Sequence, residues 1–143
     1  MQIEFFVQGT PKPQPRVKAF RRGNHAGVFD PGTADDWKYS VARAVTEQAQ
    51  GEVLNGAVWL RLDFALPRPK SHFNKEGYPK ANSPHAHTKK PDLDNLAKAV
   101  MDAISDTGKV WRDDSQVASL TLTKTYSHAS HGCRIHIQDI PVT

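Results

Sequence analysis

The stretch KKPDLDNLAKAVMD, residues 89–102, predicts a helix that carries three aspartates within a basic chain. Its apolar residues recur every three or four positions and continue past the quoted stretch as Leu93, Leu96, Val100 and Ile104. This spacing is typical of one buried face of an amphipathic helix. Pro91 favours a helix start just after it, and Gly108 is a typical end signal. The sequence therefore predicts a helix from Asp92 to Ser105.

Four segments with strand patterns surround this helix in the sequence. The segment AVWLRLDFAL, residues 57–66, alternates apolar with polar residues, which predicts a strand with one buried face. Further strands are predicted at Ile3–Val7, at QVASLTLTKTY (116–126) and at CRIHIQDI (133–140). The last two are expected to form a hairpin around SHASHG, residues 127–132.

A second helix is predicted in TADDWKYSVARAVTEQAQG, residues 33–51. Thr33 is its expected N-cap and Gly51 its expected end. Its apolar stripe consists of Trp37, Val41, Val45 and Ala49. The order β-α-β-loop-α-β-β predicts one α+β domain, residues 1–143, with a small mixed β-sheet and two main helices.

Two basic segments interrupt these elements. Residues 10–32 have no acid before Asp30, and three prolines at their start forbid a helix there, so we expect an extended or looped basic arm. Residues 67–91 contain five prolines, six Lys or Arg residues and one acid, Glu76. A loop of this length is usually functional or disordered, and we expect a basic flexible loop.

Acidic charge is concentrated in residues 92–114. They hold six of the 15 acids but only three of the 19 Lys and Arg residues. The rest of the chain has 16 basic and 9 acidic residues, a net charge of +7. A basic surface of this kind attracts a polyanion, whereas the acids need a cation to neutralise them before a polyanion can bind.

The acids are suited to a hard divalent cation. Asp92 and Asp94 lie at the predicted helix entry, and either Asp113 or Asp114 is expected at the start of the next strand. Mg²⁺ prefers oxygen ligands, so these carboxylates form a candidate metal cage whose ion binds a phosphate oxygen and activates water. Lys98, one turn after Asp94, is a candidate to neutralise charge in the transition state.

A structural explanation of the same residues stays open at this point. Asp92 serves equally well as an N-cap, and Asp94, Lys98 and Asp102 as an ion-pair ladder along one helix face. The RDDSQ segment, residues 112–116, is also a typical turn sequence.

A longer pattern separates the two explanations. KPDLDNLAKAVMDAI, residues 90–104, followed by VWRDDSQV, residues 110–117, resembles the RusA family of Holliday-junction resolvases. The family pattern is K/R-P-D-x-D-N-L-x-K-x-x-x-D-x-L and then D-D-x-Q-I/V. Every element is present, with Ile104 where leucine is commoner. The basic arm is also similar to the family's N-terminal segment.

This resemblance implies an α+β homodimer that cuts four-way DNA junctions by Mg²⁺-dependent hydrolysis, with Mn²⁺ as a substitute ion. It implies that Asp92, Asp94 and Asp114 are the catalytic, metal-binding carboxylates and that Lys98 is the catalytic lysine. Two alternatives remain: a nuclease for other branched or single-stranded DNA, and a junction-binding protein that does not cut.

DNA contacts are expected from the two basic segments, mainly to the phosphate backbone. The candidates are Lys12, Arg16, Lys18, Arg21, Arg22, Arg68, Lys70, Lys89 and Lys90. Three aromatic residues are candidates to wedge between bases at a junction, although packing roles are favoured for them: Phe20, Phe73 and Tyr78.

The remaining features limit the cellular setting. The single cysteine, Cys133, fits a reducing compartment, and neither a signal peptide nor a membrane-spanning run is evident, so we expect a cytoplasmic protein without membrane contact. His85, His87, His128, His131 and Cys133 have a faint zinc-like spacing, but they lack a matched ligand pair.

Overall fold

A mixed four-stranded β-sheet, with two helices over one face, forms the body of the computed structural model, which describes residues 1–142. The strands are β1 (Gln2–Gln8), β4 (Val58–Pro67), β5 (Val117–Ser127) and β6 (Gly132–Asp139). The helices are α1 (Asp35–Gln48) and α2 (Leu93–Thr107), and a separate hairpin consists of β2 (Lys18–Arg22) and β3 (His25–Phe29). The predicted α+β class, mixed sheet and two main helices are confirmed.

The strand order is β1-β6-β4-β5. Strand β4 pairs in parallel with β5 and antiparallel with β6, and β6 pairs antiparallel with β1. The prediction that residues 116–126 and 133–140 form a hairpin was therefore wrong, because β4 lies between β5 and β6. The connection of four residues, 128–131, is long enough to step over β4, since strands two places apart lie about 10 Å from each other.

Strand β4 takes the central position because it has the most apolar surface to bury. On its inner face Val58, Leu60, Leu62, Phe64 and Leu66 are all buried. Burial of side chains this large stabilises a fold by about 1.5–3 kcal/mol each. In β5 only Tyr126 is buried, which suits an edge position.

Helix α2 buries its apolar face in the same core as this strand, and it matches its prediction closely. Asp92 is the N-cap residue, and Gly108 ends the helix in the left-handed region at φ +62°. Helix α1 buries Trp37, Val41 and Val45 as predicted, but its N-cap is Ala34 rather than Thr33. Thr33 lies in a preceding turn that is closed by the bond from Asp35 N to Gly32 O, and the helix ends before Gly51.

The two basic segments have defined local structure. Within the arm, residues 10–32, the proline-rich start contains no helix, as predicted, and the exposed β2–β3 hairpin follows it. Its turn uses Gly23 at φ +58°, a conformation that glycine adopts without strain. The loop 67–91 contains a 3-10 turn at Lys70–His72 and a bridge from Ala86 to Thr125 on β5. Its flexibility stays a prediction.

No helix within residues 1–142 is long and apolar enough to cross a membrane.

Candidate metal and nucleic-acid site

The entry of α2 presents two exposed carboxylates. Asp92 has N-cap backbone geometry, and its carbonyl oxygen accepts the Leu96 N–H at 3.1 Å, but its side chain makes no capping hydrogen bond. Asp94 follows in the first turn of α2 and is exposed. Within the described chain neither carboxylate has a hydrogen bond or ion pair with another group. Both carboxylates are therefore free of partners within residues 1–142, and the Asp92 side chain does not serve as the helix cap.

Of the predicted ion-pair ladder Asp94, Lys98 and Asp102, only the pair Lys98–Asp102 forms. Lys98 Nζ lies 3.8 Å from Asp102 Oδ2, and the Lys98 side chain remains 62% exposed. A solvated pair of this kind contributes only a few tenths of a kcal/mol to a helix. Lys98 is thus free to turn towards a ligand bound near Asp94, one helical turn away.

The acidic pair Asp113-Asp114 lies in a 3-10 turn, Asp114–Gln116, and not at the start of a strand. Asp113 caps this turn, because its Oδ2 accepts the Ser115 N–H at 2.9 Å. Hydrogen bonding from the Ser115 side chain, and then from this backbone N–H, lowers the pKa of the Asp113 carboxyl. Gln116 completes the capping box by accepting the Asp113 N–H at 3.1 Å. Asp113 therefore has a structural role, and the half-buried Asp114 is the carboxylate of the pair that makes no hydrogen bond within residues 1–142.

Within one chain, Asp114 lies far from Asp92 and Asp94. Helix α2 runs antiparallel to β5, because Lys124 of β5 is bonded to Pro91 at the start of the helix. The segment before Asp114 is tied instead to the end of α2, where Trp111 Nε1 donates to Ser105 Oγ at 2.8 Å. Asp94 and Ser105 are about 16 Å apart along the helix axis.

The predicted cage of three carboxylates is accordingly not assembled in a single chain. Among residues 1–142, no three acidic, histidine or cysteine side chains lie close enough together to hold a metal ion. The same holds for the zinc-like set of histidines and Cys133. Burial raises the pKa of the Cys133 thiol far above its usual range, so this side chain stays a neutral core residue.

The basic arm lies directly beside the α2 entry. Gln14 N–H donates to the carbonyl oxygen of Asn95 at 3.0 Å, which fixes the arm against the helix. A cleft of about 620 Å³ lies between the arm and the helix, and Arg16, Lys90 and Asp92 all line it. Arg16 and Lys90 therefore place positive charge beside Asp92, where it would attract a polyanion.

Lys124 is a site residue that the sequence reasoning missed. Its Nζ lies 2.7 Å from the carbonyl oxygens of both Lys89 and Pro91, and it holds the turn that presents Asp92. Register places Lys124 on the inner face of the sheet, opposite Phe64. A lysine in phase with the apolar positions Leu120 and Leu122 of the predicted strand was the available signal.

The other candidate DNA contacts differ in their availability. Arg68 is held within its own loop: Nη1 donates to Pro84 O at 2.7 Å, and the guanidinium lies over the Tyr126 ring at 5.3 Å. Lys12 is half-buried. The remaining candidates are exposed: Arg16, Lys18, Arg21, Arg22, Lys70, Lys89 and Lys90.

The three aromatic candidates also differ. Phe20 packs within the hairpin, with its ring centroid 6.2 Å from that of Phe29, and Phe73 is half-buried. Tyr78 is 69% exposed, so it alone of the three has most of its surface free.

Comparison with known proteins extends the likeness over nearly the whole chain. A protein-family model described as endodeoxyribonuclease RusA matches residues 8–138. YqaN of Bacillus subtilis (strain 168), described as an uncharacterized protein, is 33% identical over 127 residues. That match covers 87% of this chain and 88% of the Bacillus protein. The family match includes the basic arm, both helices and the segment with Asp113 and Asp114.

Proposed function

Because the chain belongs to the RusA endodeoxyribonuclease family, we propose that it is a Mg²⁺-dependent nuclease that resolves Holliday junctions by paired symmetric nicks. The observation that carries this proposal is the α2 entry. Asp92 lines a cleft there together with the basic residues Arg16 and Lys90, and the exposed Asp94 follows it in the first turn of α2. A protein that only bound DNA would gain affinity by losing these acids, since they repel phosphate.

The three carboxylates are chemically suited to bind Mg²⁺. Asp92, Asp94 and Asp114 offer hard oxygen ligands that make no competing hydrogen bonds within residues 1–142, which fits Mg²⁺ or its substitute Mn²⁺. When bound, such an ion supplies an activated water at neutral pH and neutralises phosphate charge. The three residues are the proposed ligands, and Asp114 would have to come from a second copy of the chain.

The chain's own residues would hold and orient the DNA. Arg16 and Lys90, on the walls of the cleft, would bind phosphates on either side of the scissile bond. Lys98 would leave Asp102 and place its ammonium group against the charge that develops in the transition state. The exposed hairpin residues Arg21 and Arg22 would extend the backbone contacts along one arm of the DNA.

A homodimer suits the substrate. A four-way junction has near-twofold symmetry and needs two matched nicks, so two sites related by a twofold axis can cut opposite strands. Backbone contacts carry little sequence information, and the same chemistry serves any phosphodiester. Other branched DNA or single strands are therefore alternative substrates, which the experiment must separate from junctions.

The test compares a labelled synthetic four-way junction with a linear duplex of matched sequence, each incubated with Mg²⁺ and with EDTA. Asp94→Asn is the test variant. Asp36→Asn, an exposed aspartate in the first turn of α1, is the matched control. We expect paired nicks in the junction alone, only with Mg²⁺, and only in the wild type and the control.

Three other results would contradict parts of the proposal. Junction binding without nicks under any divalent ion would make the protein a binding module. Equal cutting of the duplex, or better cutting of flaps, would keep the chemistry and change the substrate. Normal cutting by Asp94→Asn would remove this carboxylate from the site.

A further inference from the structure

The last part of the long basic loop pairs with the outer edge of β5. Ala86 forms an antiparallel bridge to Thr125, and the His87 N–H donates to the carbonyl oxygen of Lys124 at 3.1 Å. The chain then reaches Asp92 only five residues after His87. The backbone before the α2 entry is therefore fixed to the sheet up to His87, and the turn beyond it needs other contacts.

The His87 side chain supplies one of these contacts. Its Nδ1 accepts the Lys89 N–H at 3.3 Å. Lys124, which pairs with the His87 backbone, supplies the others: its Nζ lies 2.7 Å from the carbonyl oxygens of both Lys89 and Pro91. The N–H and the carbonyl oxygen of Lys89 thus have separate partners, and together they hold the turn that presents Asp92.

The His87 imidazole packs in a cluster of rings and basic groups. Its ring centroid lies 4.4 Å from that of Tyr126, and the His72 ring meets the same tyrosine edge-on at 4.8 Å. Arg68 lies over the Tyr126 ring at 5.3 Å, and its Nη1 is 3.4 Å from His72 Nδ1. The titratable and charged groups of this cluster within residues 1–142, none of which is a carboxyl, are Arg68, His72, His87, Lys89, Lys124 and Tyr126.

We propose that His87 is a positioning residue of the nuclease site, whose neutral imidazole holds the turn before Asp92 and whose protonation releases it. Its effect on cutting rests on the proposed function. Nδ1 accepts the Lys89 N–H only while it carries no proton, because an imidazolium has two donors and no acceptor. A positive ring would also stand among basic groups without a carboxylate to neutralise it.

The surroundings of His87 determine the pH at which the turn is held. Burial, and after it the charge of Lys124, lowers the pKa of His87 below its usual 6.5. A histidine whose pKa is lowered in the folded state stabilises the fold fully above its unfolded-state pKa, and this stabilisation is lost as the pH falls through the folded-state pKa. The turn is therefore held at neutral pH and released in more acidic solution.

Two substitutions separate the acceptor from the ring. His87→Asn keeps an acceptor for the N–H two residues later, as asparagine does in an Asx turn, but it does not titrate. His87→Phe keeps an aromatic ring against Tyr126 but offers no acceptor. His85→Asn is the matched control, because His85 is exposed and its side chain makes no hydrogen bond within residues 1–142.

The pH profile of junction cutting is the first readout, measured from about pH 5.5 to about pH 8 at a Mg²⁺ concentration well below saturation. The ratio of variant to wild-type rate cancels the pH dependence of the metal-activated water, which both proteins share. For His87→Asn this ratio should be constant above pH 6.5 and rise by up to about tenfold per pH unit below the folded-state pKa. His85→Asn should follow the wild type throughout.

The Mg²⁺ dependence at neutral pH is the second readout. His87→Phe should need about three- to tenfold more Mg²⁺ for half-maximal cutting, the effect of losing one hydrogen bond that holds the turn. His87→Asn should need the wild-type concentration, because its acceptor remains. A His87→Asn ratio that does not change with pH, or an unchanged Mg²⁺ dependence in folded His87→Phe, would overturn the positioning role.

Nitrogen-15 spectra of the imidazoles give a readout that needs neither DNA nor metal. His87 of the wild type should be the Nε2–H tautomer with a pKa below 6.5, and the Lys89 amide should lose its protection from hydrogen exchange as His87 becomes protonated. An Nδ1–H tautomer, a pKa of 6.5 or higher, or a Lys89 amide that does not respond to this titration would overturn the held turn.

Failure of the His87 role and failure of the proposed function are distinguishable. If His87 shows the expected tautomer and titration but the protein cuts no DNA under any divalent ion, the held turn stands and the nuclease proposal falls. If the wild type cuts junctions and the His87→Asn ratio is independent of pH, the nuclease proposal stands and the positioning role of His87 is wrong.

Discussion

Mixing two inactive variants should restore cutting if the acid set is shared between chains. Asp94→Asn damages the part of the site at the α2 entry, and Asp114→Asn damages the part in the 3-10 turn before β5. Each variant alone should be inactive, because both sites of its dimer lack one carboxylate. In a mixed dimer one site carries both substitutions, but the other takes Asp94 and the partner's Asp114 intact.

The expected recovery follows from this arrangement. Random exchange makes half of the dimers mixed, and each mixed dimer has one intact site of two, so about a quarter of wild-type site activity should return. Mixed dimers isolated through two different affinity tags should reach about half. Because only one site works in each, the products should be junctions nicked on one strand and few fully resolved duplexes.

The assay uses a labelled four-way junction, with the strands separated on a denaturing gel. Native mass spectrometry verifies that subunits have exchanged, and both variants must bind the junction as the wild type does. If verified mixed dimers remain inactive, the shared-site reasoning is refuted, because a site within one chain would be damaged in both subunits.

Three further predictions concern the frame of the site. Lys124→Met leaves the carbonyl oxygens of Lys89 and Pro91 without their donor, so we expect the unfolding free energy to fall by about 1–3 kcal/mol and half-maximal cutting to need a higher Mg²⁺ concentration. Lys124→Arg should restore both the stability and the Mg²⁺ dependence. An unchanged Mg²⁺ dependence in the folded Met variant would count against a positioning role for Lys124. Asp113→Ala should lower the melting temperature at neutral pH but retain cutting. The pKa of Asp113 is lower in the folded state than the ordinary 3.8, so its carboxylate stabilises the fold at pH values above the unfolded-state pKa. This stabilisation should disappear as the pH falls through the folded-state pKa. A difference in melting temperature that does not change with pH would show that the carboxylate is not its source. Leu62→Ala, at a fully buried position of β4, should lower the unfolding free energy by about 2–5 kcal/mol in urea titrations, and a loss well below 1 kcal/mol would refute its place in the core.

The local elements were predictable because their signals are local. The period of the apolar residues identified α2, and the strict alternation of residues 57–66 identified β4, since each pattern expresses which side of one element is buried. The end of α2 at Gly108 followed from the glycine alone.

The order of the strands in the sheet and the contacts between distant segments were not predictable in the same way. A short polar connection between two strand patterns favours a hairpin, yet β4 separates β5 from β6 because its five inner apolar side chains require the central position. The distinct roles of Asp113 and Asp114 depend on Gln116, whose amide also donates to the carbonyl oxygens of Leu54 and Gly56. Contacts between residues so far apart in sequence leave no periodic signal.

The separation of the acids within one chain has a mechanistic consequence under these proposals. Three carboxylates fixed at one point would repel each other whenever the ion is absent. Held towards opposite ends of α2, they stay apart, and under the proposed function they meet only when a second copy supplies Asp114. A single chain on ordinary duplex DNA would then hold an incomplete site, whereas a dimer would carry two complete sites on a twofold axis. Cutting would thus be tied to the assembly that can nick both strands of a junction, which explains why a basic protein keeps acids beside its DNA-binding arm.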